Sequence, residues 1–191
     1  MQMSMSQVDL AILLPAFAAA WNLVGGQTML AAQKDSGHVY LSPDGLFAIE
    51  APAGWELRKQ EGSNEVTFLN GEVSVSVAAA ETEAGDTVDQ FLEVNKSLVW
   101  HMCPAAEVLA EGKVTVTGAS GAYFTMFCPG PRGRMIIRVA AALSHKRLFI
   151  FKIAAPSAEL YTVQATIDSM AHSFRECDGL PQGKERRHRA N

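Results

Sequence analysis

Ser120 is the first residue to weigh as a reacting group, because Gly118-Ala119-Ser120-Gly121 approaches the Gly-x-Ser-x-Gly elbow that lifts a nucleophile above a sheet. The spacing is wrong for that elbow, and two glycines around Ala-Ser read instead as a hairpin turn. Five histidines, His38, His101, His145, His172 and His188, are scattered, with no His-x-x-x-His or His-Glu pair to hold zinc from one helical face. Gly130-Pro131-Arg132-Gly133-Arg134 has the glycines of a phosphate-cradling loop but lacks its Lys-Ser/Thr, and a strand rather than a helix N-terminus follows. A Pro-Gly turn accounts for it. No catalytic, cofactor-binding or metal-ligating set is therefore expected.

The thiols point the same way. Cys103, Cys128 and Cys177 form no C-x-x-C and have no metal-ligand spacing. Cys103 and Cys128 each precede a proline at an element end and could pair in an oxidising compartment. If the intervening hairpin turns at Gly118 to Gly121, however, Cys128 falls opposite residue 111 or so, several strand steps from Cys103. The expectation is free, buried thiols.

Charge narrows the partners. The formal net charge is −4, and the last eight residues carry Lys184, Arg186, Arg187 and Arg189 against Glu185, a local +3 that leaves −7 for the rest. An acidic body repels phosphate backbones, so nucleic acid is not an expected partner. Arg132 and Arg134 do not combine with His145, Lys146 and Arg147 into one anion site, because the strand Met135 to Leu143 separates the two groups by about 30 Å.

The elements that would position any site are mostly strands. Tyr40 to Ser42 turns through Asp44-Gly45 into alternating Phe47, Ile49 and Ala51, and Pro52-Ala53-Gly54 then breaks the chain before Trp55. Val66 and Phe68, Asn70-Gly71, and Val73, Val75 and Val77 make the strongest hairpin signal in the chain. Thr87-Val88-Asp89-Gln90 is a capping box, opening a helix whose Val88, Phe91, Leu92, Val99 and Met102 share one face, with Asp89, Glu93 and Lys96 opposite; Pro104 closes it. Strands follow around Val108, Val114 to Thr117, Ala122 to Cys128, Met135 to Leu143 and Leu148 to Ala154, and their short links require antiparallel neighbours. A second helix begins after Pro156-Ser157 and stripes Leu160, Val163, Ile167, Met170 and Phe174 onto the sheet. Its polar face shows Glu159, Thr162 and Asp168, not the lysines and arginines of a membrane-surface helix.

The predicted fold is thus α+β: a curved antiparallel sheet of six to eight strands packed with two main helices in an α/β/α sandwich. Residues 37–177 form its single domain, flanked by a signal-like or disordered segment at 1–36 and a disordered basic tail at 178–191. Leu10 to Ala20 is an uncharged apolar run before small residues, as in a secretory signal, and is too short to span a bilayer. The residues before it contain Asp9 and no Lys or Arg, which leaves an apolar segment of a cytoplasmic protein as the alternative to export. No Cys stands near a cleavage site, so a diacylglyceryl anchor is not expected.

The order of elements resembles the fold shared by the PsbP family, the Ran-binding nuclear-import factor and the bacterial DcrB-like proteins. Tyr40-Leu41-Ser42-Pro43-Asp44-Gly45-Leu46-Phe47, Pro52-Ala53-Gly54-Trp55, the helix Thr87 to Leu98 and the closing Ser173-Phe174-Arg175 carry the resemblance, over residues 38–176. It implies a sheet sandwiched by helices and used for docking onto proteins rather than for catalysis. No lipobox Cys is present, no segment matches the metal-binding or photosystem-docking N-terminus of PsbP, and the Ran-binding residues do not map onto this chain. The expected function is a non-catalytic, exported protein-binding module with no cofactor and an unknown protein partner, engaged through Trp55, Trp100, Pro129 and Arg132. Trp55, Trp100 and Tyr123 read more readily as core packing than as ligand platforms. A carrier or chaperone for an apolar ligand or partner helix is the alternative, with Met102, Met126, Met135 and Met170 lining an adaptable groove.

Overall fold

The computed structural model describes residues 38–59, 64–116, 118–130 and 133–177. The segment 1–36, the basic tail 178–191 and Arg132 lie outside the described residues. The strands are β1 (Val39–Leu41), β2 (Phe47–Glu50), β3 (Glu56–Lys59), β4 (Val66–Asn70), β5 (Val73–Glu81), β6 (Glu107–Val116), β7 (Ala119–Gly130), β8 (Gly133–Ser144), β9 (Arg147–Pro156) and β10 (Arg175–Glu176). Two helices are described, α1 (Val88–Met102) and α2 (Ser157–Ser173). A seven-stranded antiparallel sheet runs in the order β3-β4-β5-β9-β8-β7-β6, and β1-β2-β10 form a smaller sheet.

Local chemistry accounts for the turns. Ser42 Oγ accepts from the backbone N–H groups of Leu46 at 2.9 Å and Phe47 at 3.1 Å, and donates to Asp44 Oδ1 at 2.5 Å. Gly45, at φ +70°, supplies the left-handed step of this loop. Asn70 pairs with Val73, so the two-residue connection is Gly71-Glu72, with the glycine of the Asn-Gly signal at its first position. The capping box is complete: Gln90 N–H donates to Thr87 Oγ1 at 3.2 Å, and Thr87 N–H to Gln90 Oε1 at 3.1 Å.

Alternation along the strands sends side chains to both faces of the large sheet, and each face has its own cover. One core holds Val66, Phe68, Val75, Val77, Phe149 and Phe151 beneath the small sheet and α2. Phe174 is its hub, with its ring 4.8 Å from Phe151, 5.3 Å from Phe149 and 5.6 Å from Phe47. Ser173 fixes that position, its Oγ donating to Met170 O at 2.8 Å and accepting from Glu50 N–H at 2.9 Å. The other core holds Phe124, Met126, Val139, Ala141 and Ile150 beneath Leu92 and Val99 of α1. Of the α2 stripe, Ile167, Met170 and Phe174 are buried, whereas Leu160 and Val163 pack only at the edge of the core.

Three expectations change. The β6–β7 hairpin turns between Val116 and Ala119, not across Gly118 to Gly121; Gly121 is inside the strand, paired with Val114 and Ala142. Strand β6 is continuous, with a bulge between Val108 and Ala110 in place of a gap. Lys96, assigned to the outer face of the first helix, is instead 9% exposed, because it lies over the Phe124 ring of β7 and reaches Glu111 of β6.

Candidate partner-binding surface

The turn shift decides the fate of the thiols. With the hairpin closed two residues earlier, Phe127 pairs with Glu107, so Cys128 reaches the start of β6 rather than its middle. Cys103 caps α1, its N–H donating to Val99 O at 2.8 Å, and the chain doubles back at once as Ala106 N–H donates to Cys103 O at 2.9 Å. That return brings the Cα atoms of Cys103 and Cys128 to 6.2 Å, and the two are joined as a disulfide. The expectation of free thiols therefore fails for this pair; Cys177 alone among the described cysteines is unpaired.

The disulfide holds together a corner with an apolar surface. Trp100, one turn before Cys103, is 40% exposed, and its indole N–H donates to Ala106 O at 3.0 Å. Its polar atom is thereby satisfied internally while much of the ring remains open to solvent. Val108 and Leu109, at the bulge of β6, are 41% and 55% exposed. Pro129, exposed, follows Cys128 directly. The other exposed large apolar side chains are dispersed: Val39 and Leu41 on β1, Leu143 at the end of β8 and Tyr161 on α2.

Of the residues expected to meet a partner, Trp100 and Pro129 are both exposed near the bridge, but Pro129 pairs with Arg134 and so lies on the sheet face opposite the one that α1 covers. Trp55 is 6% exposed and packs in the core, its N–H donating to Pro52 O at 3.2 Å across a turn closed by Gly54 at φ +80°. The methionine groove is absent as a groove, since Met126 and Met170 are buried and Met102 and Met135 pack against the core under α1. Val108 and Leu109 escaped sequence reasoning because apolar strand residues normally pack inward. Their exposure comes from the edge position of β6 and its bulge.

Polar groupings elsewhere have structural roles. Ser144 Oγ lies 3.0 Å from His145 Nδ1 and donates to Glu176 Oε2 at 2.7 Å, while Glu176 Oε1 is 3.6 Å from the same ring nitrogen. A relay needs the nucleophile and the orienting carboxylate on opposite nitrogens of the ring, so this cluster is a tie between the β8–β9 turn and β10. Arg147 strengthens it, donating to Cys177 O at 2.9 Å. Ser120 is an exposed strand residue paired with Thr115. Between α1 and β6, Lys96 Nζ meets Glu111 Oε1 at 2.5 Å and Glu93 Oε1 at 2.6 Å. Burial works against the ammonium, but the hydrogen bonds and charges of Glu111 and Glu93 outweigh it and hold the pKa above its ordinary value. Tyr40 is shifted upward to about 12, chiefly by burial and secondarily by the negative charge of Asp44. Among the described residues, no three His, Cys, Asp or Glu side chains gather as a metal site, and no helix is long and apolar enough to cross a membrane.

No family model and no curated protein matches the sequence. Solved structures do match in shape. The cyanobacterial PsbP of Synechocystis superposes with a TM-score of 0.55 at 16% identity, over 80% of this chain and 96% of that one. A protein from Bacteroides thetaiotaomicron gives 0.55 at 14% identity, over 74% of this chain and 49% of its own. The Ran-binding protein Mog1p of Saccharomyces cerevisiae gives 0.52 at 12% identity, over 74% and 95%. The class is therefore an α+β sandwich of antiparallel sheet and helices. Within that class the chain has the fold common to PsbP and Mog1p, as the sequence resemblance implied.

Proposed function

We propose that this chain is a non-catalytic accessory module that docks onto another protein through the corner formed by Trp100, Val108 and Leu109. The observation that carries this reading is the gathering of three exposed large apolar side chains at one disulfide-braced site. An aromatic ring presented on a rigid support binds with little loss of conformational freedom, which is the usual character of an interface hot spot. Mog1p, of the same fold, is a Ran-binding protein, which supports a docking role for the architecture.

The module works outside the reducing cytosol. The Cys103–Cys128 disulfide supports this, because such bridges persist in oxidising compartments, and the apolar run Leu10 to Ala20 supports it independently. The test is site-specific photocrosslinking in cells, with the probe placed at Leu109 or at Tyr161, which is exposed on α2. A discrete product from position 109 and none from position 161 is expected. Turnover by the pure protein in a broad hydrolase screen, or no product from position 109, overturns the reading.

A further inference from the structure

Helix α2 packs over β5, β9 and β8, and the same sheet face continues beyond it along β8 and β7. On that continuation Thr125 pairs with Arg138, and Phe127 with Ile136. The Arg138 guanidinium lies 5.6 Å from the centre of the Tyr123 ring, and its Nε donates to Thr125 Oγ1 at 3.0 Å. Thr125 is 4% exposed, so the anchor is rigid, and both terminal nitrogens of Arg138 remain available. Arg134 repeats the arrangement at 5.2 Å from the Phe127 ring centre. Each guanidinium is within cation–π distance of its ring, and a guanidinium can grip a carboxylate with two hydrogen bonds.

Arg134, Ile136 and Arg138 alternate onto one face of β8, with the two charges about 13 Å apart along the strand. Among the described residues, no carboxylate pairs with either arginine; Glu107, opposite Phe127 in register on β6, is exposed and bridges to neither. We infer that this face binds an extended acidic segment of a partner protein, with carboxylates four residues apart on Arg134 and Arg138 and an apolar side chain between them on Ile136. The period of two makes the spacing on the ligand match that on β8. Charge complementarity selects this occupant: two uncompensated guanidiniums on an otherwise acidic body attract an anionic chain and orient it. The inference rests on the reading of this chain as a docking module and names the chemistry of its partner.

The test is fluorescence anisotropy with a fluorescein-labelled Gly-Glu-Thr-Leu-Thr-Glu-Gly peptide, against the same peptide with Gln for both Glu. Saturable, salt-sensitive binding of the Glu peptide is expected, weakened about tenfold by Arg138→Gln and further by Arg134→Gln, with Lys113→Gln unchanged. Arg134 is exposed, so its variant keeps the fold and reports even if Arg138→Gln is destabilised. Equal binding of the two peptides, or full binding by the double variant, overturns the inference. So does arginine-dependent binding to phosphatidylglycerol vesicles without binding to the peptide. Peptide binding lost while the crosslink from Leu109 persists removes this surface alone; an arginine-dependent peptide complex with no such crosslink supports this surface and removes the apolar corner.

Discussion

The indole N–H of Trp100 is bonded to the carbonyl of Ala106 at 3.0 Å, so the last turn of α1 and the start of β6 hold the ring in one orientation. The tryptophan is fixed at its polar edge and open on its apolar surface, an arrangement that stabilises the isolated protein little and suits a contact with another one.

Trp100→Ala is expected to abolish the crosslink from position 109 while lowering stability by only about 1 to 2 kcal/mol, the loss of one hydrogen bond and some half-buried surface. Trp55→Ala should do the reverse, unfolding much of the population because it empties a core site at about 3 to 5 kcal/mol. Urea denaturation of both variants beside the crosslinking yield checks the contrast.

The Cys103–Cys128 bridge closes a loop with a sequence separation of 25. Paired Cys103→Ala and Cys128→Ala substitutions should cost about 3 kcal/mol, through a looser unfolded-state constraint. The native protein should lose a comparable amount in reductant, whereas the double variant should be insensitive to it. Thermal melts with and without dithiothreitol, together with the intact mass, measure both effects.

Tyr40 gives the stability a distinctive alkaline limb. Its folded pKa lies above its ordinary value of 10, so folding favours the protonated phenol. That contribution is complete below pH 10 and disappears as pH rises toward about 12. Lys96, also raised, acts with the same sign at high pH, so the difference between wild type and Tyr40→Phe isolates the phenol. The variant should show a shallower stability decline across that window in urea titrations.

Gly121 has no room for a side chain: a Cβ there would meet the Ala141 carbonyl oxygen, with the Ala142 Cβ at 2.9 Å. Because backbone is in the way, Gly121→Ala should cost about 1 to 3 kcal/mol and loosen the β7–β8 pairing. Gly112→Ala meets only the Tyr123 ring, at 2.9 Å, which can swing aside. It should be better tolerated in melts and should weaken acidic-peptide binding by disturbing the platform under Arg138.

Local chemistry was legible in the chain from the start. Asn70-Gly71 between alternating valines, the Thr87–Gln90 cap and the Ser42–Asp44 turn each act within a few residues, so composition and spacing suffice to place them. Ser173-Phe174-Arg175 was visible as a motif, but its role as an aromatic hub tied to Glu50 was not, because the partners lie more than a hundred residues away. Of the candidates Trp55, Trp100, Pro129 and Arg132 that the chain offered, Trp100 and Pro129 are exposed, while Trp55 lies in the core.

What tertiary structure alone decided was register and cover. Moving one turn by two residues carried Cys128 from the middle of β6 to its beginning and made a disulfide possible. The packing of α1 on β7 buried Lys96 over Phe124, and the bulge in the edge strand β6 left Leu109 outside. Side-chain periodicity states which residues share a face, but not which neighbouring element lies over that face. That assignment is a long-range property of the packed sheet, and it separates a buried residue from an exposed one of the same type.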